Sequence, residues 1–121
     1  MSMISANNYQ HIDFTYLNNL VMGDIDFKKK IINMFIDKTP ATIKSLQELY
    51  KTEDWVSVKA LAHKFKSSID FVGSKDLAKV IVDLEHNAEK ENKEAINKEI
   101  IEAERLCNLI YAELKTELSK L

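Results

Sequence analysis

Apolar residues recur at steps of three and four along almost the whole chain, and short polar breaks divide that pattern into five segments. The first carries Phe14, Leu17, Leu20 and Val21, with Asp13 as candidate N-cap and Gly23 as left-handed stop, which predicts a short helix over 14–22. The second begins at Asp24 or Asp26 and repeats Phe27, Ile31, Phe35, Thr42, Leu46 and Leu49, which predicts a long helix over 25–51. Pro40 falls inside it, about 140° from Phe35 on the helical wheel, so its missing N–H faces solvent and one kinked helix is expected.

Asp54 then caps a third helix over 55–72, with Val58, Leu61, Ala62, Phe65, Ile69 and Val72 on one face and Gly73 as its stop. Ser74 opens a fourth over 75–91, carrying Leu77, Val80, Ile81, Leu84 and Ala88. The charged run from Glu89 to Lys93 marks a turn, and a fifth helix over 93–119 repeats Ile96, Ile100, Ala103, Cys107, Ile110, Leu114 and Leu118, a seam that extends to Leu121. Four long amphipathic helices with short connections give an all-α fold, an antiparallel up-down-up-down four-helix bundle with the short N-terminal helix packed on it.

Composition narrows the picture. Only Gly23, Gly73 and Pro40 punctuate 121 residues, too few for the turns of a sheet, and the length suits one domain over 1–121. Seventeen Lys+Arg against nineteen Asp+Glu leave a net charge of −2, which offers no field to draw nucleic acid or an anionic membrane. The start Met-Ser-Met-Ile-Ser-Ala-Asn-Asn has neither the basic nor the apolar region of a secretion signal, and no run approaches the roughly 20 apolar residues of a membrane span. A cytoplasmic monomer is expected. The lone Cys107 lies on an apolar stripe and reads as a buried, unreactive thiol.

The candidate chemistry sits on the third helix. His63 lies about 160° from Phe65 on the wheel and therefore faces solvent. The same strip carries Lys59 a turn before, Lys64 beside it, Lys66 and Ser67 a turn after, and Asp70 two turns after. An imidazole with a free ring nitrogen can attack phosphorus, and adjacent ammonium groups can neutralise the charge that arrives. Spacing alone leaves open a plain solvated helix face. Asp83 and His86 on the fourth helix form an Asp-x-x-His pair, but a bundle metal site draws ligands from several helices, so no metal site is expected. His11, in the polar lead, has no role in this reading.

Ala62-His63-Lys64-Phe65-Lys66-Ser67-Ser68, followed by Gly73, Leu77 and Leu84-Glu85, resembles the signature of histidine-containing phosphotransfer (HPt) domains, usually Ala-His-x-Leu-Lys-Gly-Ser with a downstream Gly and a Leu-Glu pair. Phe35, Pro40, Leu46 and Asp54 also fall where that family commonly has Phe, Pro, Leu and Asp, so the resemblance spans nearly the whole chain. It implies that His63 carries a phosphoryl group on Nε2, taken from the aspartate of one response-regulator receiver domain and passed to another, with a hybrid sensor histidine kinase upstream. Lys66 matches the family lysine that holds phosphoryl oxygens, and Glu85 falls where relatives reach the ring's Nδ1. Ser67 departs from the family glycine beside the ring, and Phe65 from its leucine.

On this resemblance the protein is a phosphorelay intermediate without kinase activity of its own. It needs no cofactor; Mg²⁺ belongs to the partner receiver. Lys59, Lys64 and Lys66 would complement an acidic receiver, with Ile12 and Tyr16 of the N-terminal region as apolar contacts. The alternative is a helical docking module that binds receivers but no longer transfers phosphate.

Overall fold

The computed structural model describes residues 9–121; the Met-Ser-Met-Ile-Ser-Ala-Asn-Asn lead lies outside them. Five helices follow one another: α1 (Thr15–Val21), α2 (Ile25–Lys51), α3 (Trp55–Val72), α4 (Lys75–Glu89) and α5 (Lys93–Lys120). Helices α2 to α5 form a ring in which each packs on its two neighbours, and α1 lies across α2 and α3. This is the all-α bundle with an N-terminal helix added.

Each long helix starts on a side-chain cap. Asp24, Asp54, Ser74 and Asn92 accept from the backbone N–H of Phe27, Ser57, Leu77 and Ala95, respectively, which satisfies a donor that the helix itself leaves unpaired. Pro40 is exposed and α2 runs through it unbroken, because a missing N–H on the solvent side costs the buried stripe nothing. At α1 the start moves: Asp13 Oδ1 accepts from the N–H and hydroxyl of Thr15, an Asx turn that places the first helical residue at Thr15. The stop also moves, since Met22 is already left-handed at φ 51° before Gly23 at 85°.

The core stripes of α3, α4 and α5 follow the apolar periodicity, with Leu106 added on α5 and with Leu61, Val80 and Leu118 only half-buried. On α2 the stripe is rotated from the expected one. Ile32, Phe35, Thr39, Ile43 and Leu46 are buried with Lys28, whereas Phe27 is exposed and Ile31, Thr42 and Leu49 sit at the margin. Leu20 of α1, expected in the core, is likewise exposed. Doubled apolar positions such as Ile31-Ile32 make two stripes readable, and the buried Lys28 disguises the true one.

Residues 9–14 form a strap across one end of the bundle. The backbone N–H groups of Gln10 and His11 donate to Glu113 of α5, and the N–H of Asp13 donates to the carbonyl of Val72 at 2.9 Å. The strap presses on Gly73, which ends α3 at φ 67°; a Cβ there would stand inside the contact radius of the Asp13 carbonyl oxygen. A Gly73→Ala protein is therefore expected to lose about 2–3 kcal/mol, from the left-handed backbone and the displaced strap together. Urea denaturation would read this as a lower midpoint at unchanged slope.

Candidate functional site

Helix α3 carries His63 outward. Its opposite face, Val58, Ala62, Phe65, Ile69 and Val72, is locked into the core, so the helix cannot roll and the ring is left with 70% of its side chain exposed. The Gly73-Ser74 turn then reverses the chain and lays α4 antiparallel beside α3. Residues equidistant from Ser74 consequently face each other, and both His63 with Glu85 and Lys59 with Glu89 meet that condition.

The contacts follow this register. Glu85 Oε2 lies 2.8 Å from His63 Nδ1, and Glu85 Oε1 lies 2.8 Å from Lys66 Nζ. One carboxylate, with only 14% of its side chain exposed, thus divides its two oxygens between the ring and the ammonium. Lys66 holds the Glu85 carboxyl below its ordinary range, burial opposes this, and the His63 hydrogen bond adds to the lowering. Glu85 is therefore an ionised acceptor, so Nδ1 is the ring nitrogen that carries the proton, and in the neutral imidazole the lone pair is on Nε2.

Lys59 Nζ is held at 2.6 Å by Glu89, while Lys64, Ser67 and Asp70 are exposed along the same strip. Tyr16 is 53% exposed and its ring tilts against Phe71 of α3. Ile12 corrects the expectation of an exposed contact: it is 2% exposed, because the strap turns it into the core. His11 sits in the strap, with Nδ1 3.8 Å from Asp76. Asp83 pairs with Lys79 instead of His86, and no cluster of three potential metal ligands occurs among the described residues. Burial pushes the Cys107 thiol up to about 12, so it stays protonated.

Two features had not been anticipated. Glu89 is one, although the register about Ser74 points to it as directly as to Glu85. The other is an open groove of about 310 Å³ that begins just over one turn beyond His63, lined by Ser68 and Phe71 of α3, Leu20 of α1, and Phe27, Ile31 and Met34 of α2. Its signal is the surplus apolar stripe at 27, 31 and 34, more than one core face can bury.

An exposed imidazole with Nδ1 engaged by a carboxylate, on the second helix of a four-helix ring, agrees with the resemblance of the Ala-His-x-x-Lys stretch. The model of the Hpt domain matches residues 30–121. The chain belongs to the Hpt domain family. No curated protein sequence matches it significantly. Among solved structures it is similar to histidine-containing phosphotransfer protein B (HptB) from Pseudomonas aeruginosa PAO1, with a TM-score of 0.85 and 22% identity over 92% of this chain and 96% of that one. That likeness is one of fold: it places the Hpt helical bundle over nearly all of both chains. Among the described residues of this Hpt protein, no helix is long and apolar enough to cross a membrane.

Proposed function

We propose that this Hpt protein is a phosphorelay intermediate in which His63 Nε2 takes a phosphoryl group from the aspartyl phosphate of one receiver domain and gives it to the aspartate of another. The observation that supports this most is the shared carboxylate of Glu85, which fixes the tautomer with Nε2 as nucleophile and keeps Lys66 within reach of an incoming phosphoryl group. Complete retention of this trio favours transfer over a docking module that has lost it.

The protein's part is presentation. Nε2 stands clear of the surface on a rigid helix, and the small Ser67 one turn on leaves room for a partner's loop. The partner's acidic pocket and Mg²⁺ would supply the remaining charge neutralisation, so no bound cofactor and no intrinsic kinase activity are needed here. The groove beside His63, with exposed Leu20, Phe27 and Met34, and with Tyr16 against its lining residue Phe71, suits an apolar helix of a receiver, while the exposed Lys64 suits its acidic rim. A hybrid sensor kinase fits the upstream position, the chain would act as a cytoplasmic monomer, and neither nucleic acid nor membrane enters the cycle.

The test is transfer from a panel of phosphorylated receiver domains in Mg²⁺ buffer, followed by intact mass. At least one receiver should add a single phosphoryl group to the wild-type protein within seconds to minutes. Binding by receivers with no mass gain from any of them would favour the docking module.

A further inference from the structure

The carboxylate at His63 raises a question that an amide at that position would not: what its charge adds beyond a hydrogen bond. When Nε2 attacks, its lone pair forms the N–P bond while the P–O pair leaves with the donor aspartate. The proton on Nδ1 stays where it is, so the phosphorylated ring is a cation. On the way out, the acceptor's carboxylate oxygen forms the new P–O bond, the N–P pair returns to Nε2, and the ring leaves as neutral imidazole. Had the phosphorylated ring lost its Nδ1 proton, it would have to depart as an imidazolate anion, a far poorer leaving group.

Whatever holds that proton therefore governs how readily the phosphoryl group moves on. Glu85 Oε2 is the group at Nδ1, and its second oxygen is shared with Lys66 at the same 2.8 Å. The other charged groups around the ring are Lys59, Lys64 and Asp70 of α3 and Glu89 of α4, with Lys59 and Glu89 neutralising one another. On the other flank of α3, α1 places Tyr16 against Phe71 and α2 places Lys38 at the groove. Among these, Glu85 is the anion in contact with the ring. Lys66, drawn to phosphoryl oxygens, would give up Oε1 and leave the whole carboxylate charge to the ring.

We propose that the negative charge of Glu85, and not only its hydrogen bond, keeps Nδ1 protonated on phospho-His63 and so sets the lifetime and onward reactivity of the phosphoryl group, with Lys66 releasing that charge as it turns to the phosphate. This rests on His63 being the phosphorylated residue. Glu85 is a positioning residue: its contacts are with the His63 ring and the Lys66 ammonium, and it acts through them.

The decisive variant is Glu85→Gln, whose amide oxygen can still accept from Nδ1–H and so preserves the ring's orientation. The full chain is phosphorylated with phosphoramidate, freed of donor, and followed by ³¹P NMR and by ¹⁵N NMR of the labelled imidazole between about pH 6 and 8.5. In the wild type the phosphoryl group should be lost at a nearly constant rate, with Nδ1 at its protonated shift throughout. In Glu85→Gln, Nδ1 should lose its proton within that range, and the loss should slow roughly tenfold by pH 8, the effect of removing one adjacent opposite charge. Lys66→Met, which keeps the Glu85 carboxylate at the ring, should leave Nδ1 protonated across the same range, whatever it does to the absolute rate of loss.

Identical profiles for wild type and Glu85→Gln would overturn the inference and leave the relay reading standing. So would a wild-type phospho-ring that loses its Nδ1 proton below about pH 7, a result that needs no variant. If phosphoramidate labels no nitrogen of His63, the relay reading and this inference fall together.

Discussion

A His63→Gln protein is expected to gain no phosphoryl group from any receiver that labels the wild type, and to fold as stably. The first half follows from chemistry: glutamine has the reach but its amide nitrogen has no lone pair available for attack on phosphorus. Nor is there a substitute nearby. Among the described residues, His86 is exposed on α4 with no carboxylate paired to its ring, and His11 is held in the strap at the end of the bundle, with only 19% of its side chain exposed. The second half follows from burial. The His63 side chain is 70% exposed and contributes nothing to the core, so the substitution should stay within about 0.5 kcal/mol. Intact mass after receiver transfer, beside a thermal melt unchanged to within about 2–4 °C, checks both halves. Label on His63→Gln at the wild-type level would mean that another residue carries the phosphoryl group.

How far the chain could be read in advance depended on where each signal was stored. The caps Asp24, Asp54 and Ser74 are local statements, one side chain to a backbone three residues on, and the structure places each at the start of its helix. The outward direction of His63 is also local, since it needs only the helical period and the position of Phe65. Glu85 is different. Its role depends on the register of two helices, which becomes calculable only once Ser74 is taken as the centre of the hairpin; without the family resemblance it is one helix glutamate among many.

The misreadings lie where long-range packing overrides the local pattern. Ile12 looks like part of a polar lead because its neighbours are polar, yet those neighbours spend their backbone donors on Glu113, and the strap they form drives Ile12 inward. Glu53 and Glu91 adopt the left-handed backbone at φ 56° in the α2–α3 and α4–α5 turns, a place where glycine would have announced the turn and glutamate does not. Lys28 is the largest surprise. A lysine at a core position argues against its own burial unless its partner is known, and that partner lies 89 residues away.

That partnership carries a stability effect as large as any we expect. Lys28 Nζ is 2.8 Å from Glu117 Oε2, with side chains only 7% and 15% exposed, and it sits over the Phe14 ring at 4.6 Å from the centroid. The Tyr9 hydroxyl donates to the other Glu117 oxygen at 2.9 Å, so the pair joins the strap, α2 and the end of α5. Burial pushes the Glu117 carboxyl up, but the hydrogen bonds from Lys28 and Tyr9 outweigh it and hold the group below its ordinary 4.5. Glu117→Gln keeps the shape and leaves the Lys28 ammonium buried without a counter-charge, which should cost about 2–3 kcal/mol at pH 7, toward the low end for buried pairs because Glu117 is not fully enclosed. A Lys28→Met, Glu117→Leu double variant should recover most of that loss, because it leaves no unpaired charge. The sign of the pH dependence is fixed by the lowered folded value. The stabilisation is complete above the unfolded value near 4.5 and disappears as pH falls through the folded one. Urea midpoints for wild type and Glu117→Gln should therefore stay a constant distance apart from pH 7 to about 5 and converge below 4.5. A separation that persists undiminished to pH 3 would show that the glutamate's packing, rather than its charge, holds the strap to the bundle.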